Sequence, residues 1–181
     1  MPTDTGRSRA GDRAPLTFSF DIEPHRPDPA EDTSYPVVTR RVYDWLAERG
    51  IRGSVFVVGT TAVAHPELVT AAVAAGHEVG LHSWDHTPLT ELSRDRFTEE
   101  TRRGKELLED LTGAPIVGYR APTFSLVRET AWVTDVLTDL GFSYSSSVLP
   151  ARSPLHGFPG LPRDPFTWPS GLVELPCPIA K

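Results

Sequence analysis

The sequence is nearly devoid of cysteine. Of 181 residues only Cys177 is one, which excludes an internal disulfide and any cysteine-rich metal knot. A metal in this chain must therefore be held by histidines and carboxylates. There is no long apolar run, so no segment reads as a membrane-spanning helix. Basic residues are outnumbered, 18 against 24 acidic ones, for a formal net charge of −6. That argues against a nucleic-acid partner, which draws on a basic patch. The opening MPTDTGRSRAGDRAP has no apolar h-region and so no secretory signal as written. The expected location is cytoplasmic, with an extracytoplasmic one left open. No internal repeat occurs. Residues 1–14 read as a disordered polar tail, and 15–181 as one domain, long enough for a real core. Nothing in the sequence indicates the oligomeric state.

What is present is an alternation of strand and helix signals. PLTFSFDI (15–22) reads as a strand. SYPVVTRRVYDWLAERG (34–50) reads as a helix with Val38, Val42, Trp45 and Leu46 at helical spacing and Gly50 as its stop. IRGSVFVVG (51–59) is a buried-strand run, HPELVTAAVAAG (65–76) a helix with Pro66 in its first turn, and HEVGL (77–81) a short strand. Residues 93–113 form the longest helix, with Ser93 as N-cap, Leu107, Leu108 and Leu111 facing the core and Gly113 ending it. PIVGY (115–119), a helix over 125–141 and FSYSSSV (142–148) follow. Residues 149–171 are rich in Pro and Gly and read as an excursion loop, after which LVELP (172–176) looks like one more strand. Repeated βα units imply an α/β fold with a parallel sheet, either open or closed into a barrel.

Three segments bring polar residues to or just past the C-terminal ends of predicted strands, the edge where such folds build sites. In GLHSWDH, His82 and His86 are four apart. On a helical turn they share one face and can converge on one ion. His25, His65, His77 and His156 have no such partner and read as structural. In FSFDIEP, Asp21 and Glu23 point to the same side of an extended chain. One can serve as metal ligand and the other as general base. Two histidines and one carboxylate leave positions open for water and substrate. In YRAPTFS, Arg120 leaves a buried strand and needs a partner, for which Asp21 is suited. Pro122 sets a stiff turn, and the Thr123 N–H is placed to face a developing oxyanion.

With SFDIE, HSWDH and YRAP on the page, the chain resembles the polysaccharide deacetylase family, also called the NodB-homology domain or carbohydrate esterase family 4. PELVTAAVAAGHEVGLHSWDH followed by ELLEDLTGAPIVGYRAPTFS matches that family in order and spacing, from about Leu16 to Val148. The resemblance is nearest to an exopolysaccharide-associated branch with Asp-x-Glu in its first motif. It implies a distorted (β/α) barrel, a divalent metal, most often zinc, and removal of N-acetyl or O-acetyl groups from an acetylated glycan. By motif position His82 and His86 match the histidine ligands, Asp21 the general base and Arg120 the arginine that holds it. The usual metal carboxylate position is Ile22 here, so Glu23 is its substitute; a swap with Asp21 as ligand stays open.

Two features depart from the family pattern. The acid that protonates the leaving amine is normally a histidine in a late Leu-x-His setting, and none follows residue 148; His156, in PLHGFPG, has other neighbours. The expectation is therefore a barrel incomplete at its C-terminus. Relatives also often carry an acid where Ser145 stands. Two other functions share these residues: hydrolysis of small cyclic amides or ureides, and glycan or partner binding without turnover. A glycosidase is disfavoured, because carboxylates at i and i+2 of one strand do not flank a sugar ring.

Overall fold

The computed structural model describes residues 17–24 and 34–179. The expected polar tail, the start of the first strand and His25 lie outside them. Among the described residues seven strands form one sheet in the order β1-β2-β3-β4-β5-β7-β6. They are β1 (Ser19–Ile22), β2 (Ser54–Val57), β3 (Glu78–Leu81), β4 (Gly118–Tyr119), β5 (Tyr144–Ser145), β6 (Phe166–Thr167) and β7 (Val173–Glu174). All neighbours pair in parallel except β6, which runs antiparallel to β7. The edge strands β1 and β6 do not pair with each other among the described residues. Among the described residues five α-helices accompany the strands: α1 (Tyr35–Ala47), α2 (Gly59–Ala64), α3 (Pro66–Ala74), α4 (Arg94–Thr112) and α5 (Val133–Asp139). Among the described residues no helix is long and apolar enough to cross a membrane.

Local chemistry accounts for most of these elements. Val55, Phe56, Val57 and Val58 are all buried, as a parallel strand covered on both faces requires. Pro66 opens α3 at a position where its missing N–H costs nothing. In α4 the Ser93 hydroxyl accepts the Arg96 amide and Gly113 ends the helix at φ 66°. Its buried stripe is Phe97, Thr101, Gly104 and Leu108, with Leu107 and Leu111 packed at its margin. A Cβ on Gly104 would stand 2.7 Å from a Leu81 methyl, so this glycine sets how closely α4 lies on β3.

Several expected elements differ. The inward face of α1 is Tyr35, Thr39, Tyr43 and Leu46, while Val38 and Trp45 are about half exposed. Tyr43 can face inward because its hydroxyl donates to the Leu68 carbonyl at 3.2 Å. Helix α2, absent from the sequence reading, forms directly after β2. The expected helix over 125–141 is interrupted: a 3-10 turn at Arg128–Thr130 precedes α5. There the Thr130 hydroxyl accepts the Val127 amide and competes with helical pairing. The Pro/Gly excursion contains β6, not loop alone.

The corrected α1 face is testable by urea unfolding. Leu46→Ala is expected to cost about 2–5 kcal/mol, and Val38→Ser less than about 0.5 kcal/mol. Equal losses would contradict the assignment.

Candidate metal centre and its arginine anchor

Strand pleating decides what reaches the site. Along β1, Phe20 and Ile22 pack into the core while Ser19, Asp21 and Glu23 alternate onto the other side. That side carries Arg120, Phe56, Tyr144 and Ser146, which line a cavity of roughly 350 Å³. The strand ends then follow in step: the His82 amide bonds to Val57, the Arg120 amide to Leu81 and the Ser146 amide to Tyr119, each at 2.9 Å. One sheet edge thus presents Glu23, His82, Arg120 and Ser146 side by side.

The histidine pair does not sit on a helical turn, contrary to the sequence expectation. Residues 82–88 form a loop with Ser83 and His86 in the left-handed region, φ 64° and 65°. The Ser83 hydroxyl accepts the His86 amide at 2.9 Å and tightens the bend. Helix α2 secures the loop from behind. Its amides at Gly59 and Thr60 donate to the Ser83 and Trp84 carbonyls, at 3.0 and 2.8 Å, so otherwise orphan helix N-terminal donors are satisfied by the loop. Gly59 allows this approach, since a Cβ there would lie 2.5 Å from the Trp84 ring. Left-handed backbone recurs at Thr123 and Phe124, φ 52° and 53°. All four positive-φ non-glycine residues among those described lie in the two loops that border the site, where such strain concentrates.

Glu23, His82 and His86 come together with one ligand atom from each within 4.8 Å of the others. Glu23 Oε2 lies 2.6 Å from His86 Nε2 and 3.1 Å from His82 Nε2. His82 is buried, and its Nδ1 lies 2.9 Å from the Arg120 carbonyl. A carbonyl only accepts, so Nδ1 carries the proton and Nε2 of the neutral ring turns a lone pair toward the Glu23 carboxylate. Two lone-pair donors face each other there unless a cation lies between them. A proton on His82 meets that need, and so does a divalent metal. A histidine whose second nitrogen donates to a backbone carbonyl is also how metal-ligating imidazoles are oriented. The donor set of two imidazoles and a carboxylate therefore fits zinc.

Asp21 stands beside this cluster, bound differently. Its Oδ1 accepts from Arg120 Nη1 at 2.8 Å, and its Oδ2 is 3.8 Å from His82 Nε2. Arg120 is 9% exposed. It also donates to the Ser19 hydroxyl at 2.9 Å, the Ser146 hydroxyl at 3.1 Å and the Ser146 carbonyl at 3.3 Å, and lies 4.1 Å above the Phe56 ring. Pro122 is buried in a 3-10 turn over Pro122–Phe124, and the Thr123 hydroxyl donates to the Pro122 carbonyl at 2.7 Å.

His156, read from sequence as structural and without a partner, contacts the Pro122–Phe124 turn and the 3-10 turn Leu89–Glu91 that follows the histidine loop. Its Nδ1 is 2.9 Å from the Thr123 hydroxyl and its Nε2 3.4 Å from that of Thr90. His65 pairs with Glu67 at 3.2 Å, and His77 accepts the Gly53 amide at 3.1 Å and stacks on Tyr43. The sequence reading missed Ser19, Ser146, Ser147 and Glu174 as parts of the arginine's surroundings. The available signals were the serine run after β5 and the lone acid in the apolar LVELP.

Hydrogen bonds from His82 and then His86 hold the Glu23 carboxyl far below its usual range, against the opposing effect of burial. The same contact raises His86, again against burial. In the metal-free protein Glu23 therefore stabilises the fold above its unfolded pKa near 4.5 and loses that contribution as the pH falls through its folded value. His86 contributes fully below its unfolded pKa near 6.5 and loses that as the pH rises through its folded value. The stability gap between metal-free protein and its Glu23→Gln variant is expected to be widest between pH 4.5 and 6.5 and to narrow on both sides. A gap independent of pH in denaturant titrations would contradict the contact.

A family model described as polysaccharide deacetylase matches residues 10–145. The peptidoglycan-N-acetylglucosamine deacetylase PgdA of Listeria monocytogenes is 31% identical over 94 residues, 52% of this chain and 20% of that protein. Chitin deacetylase 1 of Cryptococcus neoformans var. grubii is 29% identical over 84 residues, 46% of this chain and 18% of its own. A crystal structure from Mycobacterium smegmatis, assigned to the polysaccharide deacetylases, superposes with a TM-score of 0.72 at 30% identity, covering 89% of this chain and 57% of that one. The matched stretch is thus about a fifth of each curated relative and just over half of the mycobacterial chain. The α/β fold is the one that family uses. With the family model running from before β1 to the end of β5 and so spanning Asp21, Glu23, His82, His86 and Arg120, the chain belongs to the polysaccharide deacetylase family.

Proposed function

We propose that this chain provides the metal centre and general base of a hydrolase that removes acetyl groups from a glycan. The observation that carries the reading is the adjacency of two distinct carboxylates. Glu23 is shared by two imidazoles, and Asp21 is held by a buried guanidinium beside them. Relatives named for chitin and for the N-acetylglucosamine of peptidoglycan support an N-acetyl amino sugar as substrate, ahead of an O-acetyl ester. The Asp-x-Glu order of the first motif supports the exopolysaccharide-associated branch.

Glu23, His82 and His86 would hold the ion, for which zinc is the best match to the donors. When bound, it supplies Lewis-acid polarisation of the acetyl carbonyl and a lowered pKa for water. The remaining work falls to the chain. Arg120 fixes one oxygen of Asp21 and leaves the other turned toward the histidines, oriented to take the proton of the attacking water. The Arg120 carbonyl keeps His82 in the tautomer that presents Nε2. The Thr123 N–H, in the turn begun by Pro122, is the donor assigned to the developing oxyanion.

Zinc content and acetate release from chitooligosaccharides test the division of roles. His82→Ala and Glu23→Gln are expected to lose most bound zinc. Asp21→Asn is expected to keep it and lose about 10²–10⁴-fold in turnover. Zinc lost in Asp21→Asn but kept in Glu23→Gln would reverse the two carboxylates. Glycan binding without acetate release by zinc-loaded protein would replace the hydrolase reading with a binding one.

A further inference from the structure

Glu174 has no assigned part in the chemistry, yet it is a fully buried acid among strands. It lies on β7 in register with Ser145 of β5. Its Oε1 accepts the Ser147 amide at 2.7 Å and the Val148 amide at 2.9 Å, and its Oε2 accepts the Trp168 indole N–H at 3.3 Å. Burial pushes the carboxyl above its ordinary range, and these donors oppose the shift. Ser147 and Val148 are themselves 0% exposed, so without this carboxylate their amides would be buried and unpaired, which a folded chain avoids by moving.

The residues so fixed directly follow Ser146, which holds the arginine. The Ser147 hydroxyl accepts the Ala121 amide at 2.8 Å and the Ser145 hydroxyl proton at 2.7 Å. Ser146, between Ser145 of β5 and the anchored Ser147, offers its carbonyl and hydroxyl to Arg120. Arg120 in turn holds Asp21 and, through its carbonyl, His82. Hydrogen bonds, joined through the backbone at residues 146–147 and 120–121, therefore connect β7 to Asp21 and to His82. Trp168, packed at 5.1 Å on Phe166 and 6.1 Å on Phe158, ties the Pro/Gly excursion to the same acid.

We propose that Glu174 is a positioning residue for this site: by accepting the Ser147 and Val148 amides it sets the Ser145–Ser147 segment, and that segment fixes the Arg120 guanidinium against Asp21. Its effect on turnover rests on the deacetylase reading; its effect on Arg120 does not. Glu174→Leu keeps much of the volume and removes every acceptor. In ¹⁵N-labelled protein the Arg120 Nε–H resonance, identified by its loss in Arg120→Lys, is expected to exchange slowly in the parent and at least about tenfold faster in Glu174→Leu. In the zinc-loaded protein kcat is expected to fall about 10–100-fold with KM within about twofold and zinc content unchanged, as misplacement of a reacting group predicts.

A core variant, Leu108→Ala, is expected to lose stability and keep the resonance. If it loses the resonance equally, the signal reports stability and the proposal fails. Should Glu174→Leu not fold, Ser147→Ala removes the hydroxyl by which the anchored segment holds the Ala121 amide, next to Arg120, and carries the same expectation for Arg120. An unmoved Arg120 resonance in the folded Glu174 variant, or in Ser147→Ala where that stands in, overturns the proposal. No turnover in any protein, parent included, would instead sink the deacetylase reading and leave the resonance to decide this one.

Discussion

The site depends on one buried cation. Arg120 leaves β4 with its guanidinium almost wholly removed from water and makes four hydrogen bonds there, to Asp21, Ser19 and both oxygens of Ser146. Taking such a charge out of water is costly unless it is paired and its donors are filled. Breaking a buried pair by removing one partner typically costs about 3–5 kcal/mol. That constraint locks together residues more than ninety positions apart in the chain, with Asp21 and Arg120 separated by 99. The same residue's backbone carbonyl sets the tautomer of His82. One strand end therefore organises Asp21 through its side chain and the Glu23–His82–His86 cluster through its main chain.

The parallel sheet makes this arrangement economical. Each of β1, β3, β4 and β5 delivers a polar group at its C-terminal end, and the ladder bonds keep those ends level. The helix-side residues of the same strands fill the core, so a change of register by one residue would exchange Asp21 and Glu23 for Phe20 and Ile22. Core packing and site geometry are consequently specified by the same alternation. The loops add what the strands cannot. Left-handed residues at 83, 86, 123 and 124 turn side chains back over the sheet edge, and the N-terminal amides of α2 brace the histidine loop.

Much of this was legible from the sequence. The order of βα units, the capping of α4 by Ser93 and Gly113, and the three polar segments at strand ends follow from periodicity and turn chemistry. What was misread has physical causes. Apolar spacing assigned α1 a face of Val38, Val42, Trp45 and Leu46; Leu46 is buried, but Tyr43 with its hydroxyl satisfied, Tyr35 and Thr39 are buried beside it in place of the others. The spacing of His82 and His86 suggested a helical turn, whereas a Ser83 side-chain bond and positive φ bring the rings together in a loop, 5.1 Å between centroids. Helix α2 hides in GTTAVA, whose threonines and glycine carry little helix propensity. Its stability comes from the loop it braces, a tertiary contact with no local signature. Glu174 and His156 were passed over for the same reason, since, Trp168 apart, their partners lie 26 or more residues away.

The central claim is that Glu23, His82 and His86 close around one cation. The most direct measurement is anomalous diffraction at the zinc edge from crystals grown with one equivalent of zinc. The account predicts a single strong peak bonded to Glu23 Oε2 and to Nε2 of both histidines at about 2.0–2.2 Å. A peak elsewhere, or a fully occupied zinc held without His82, would contradict it.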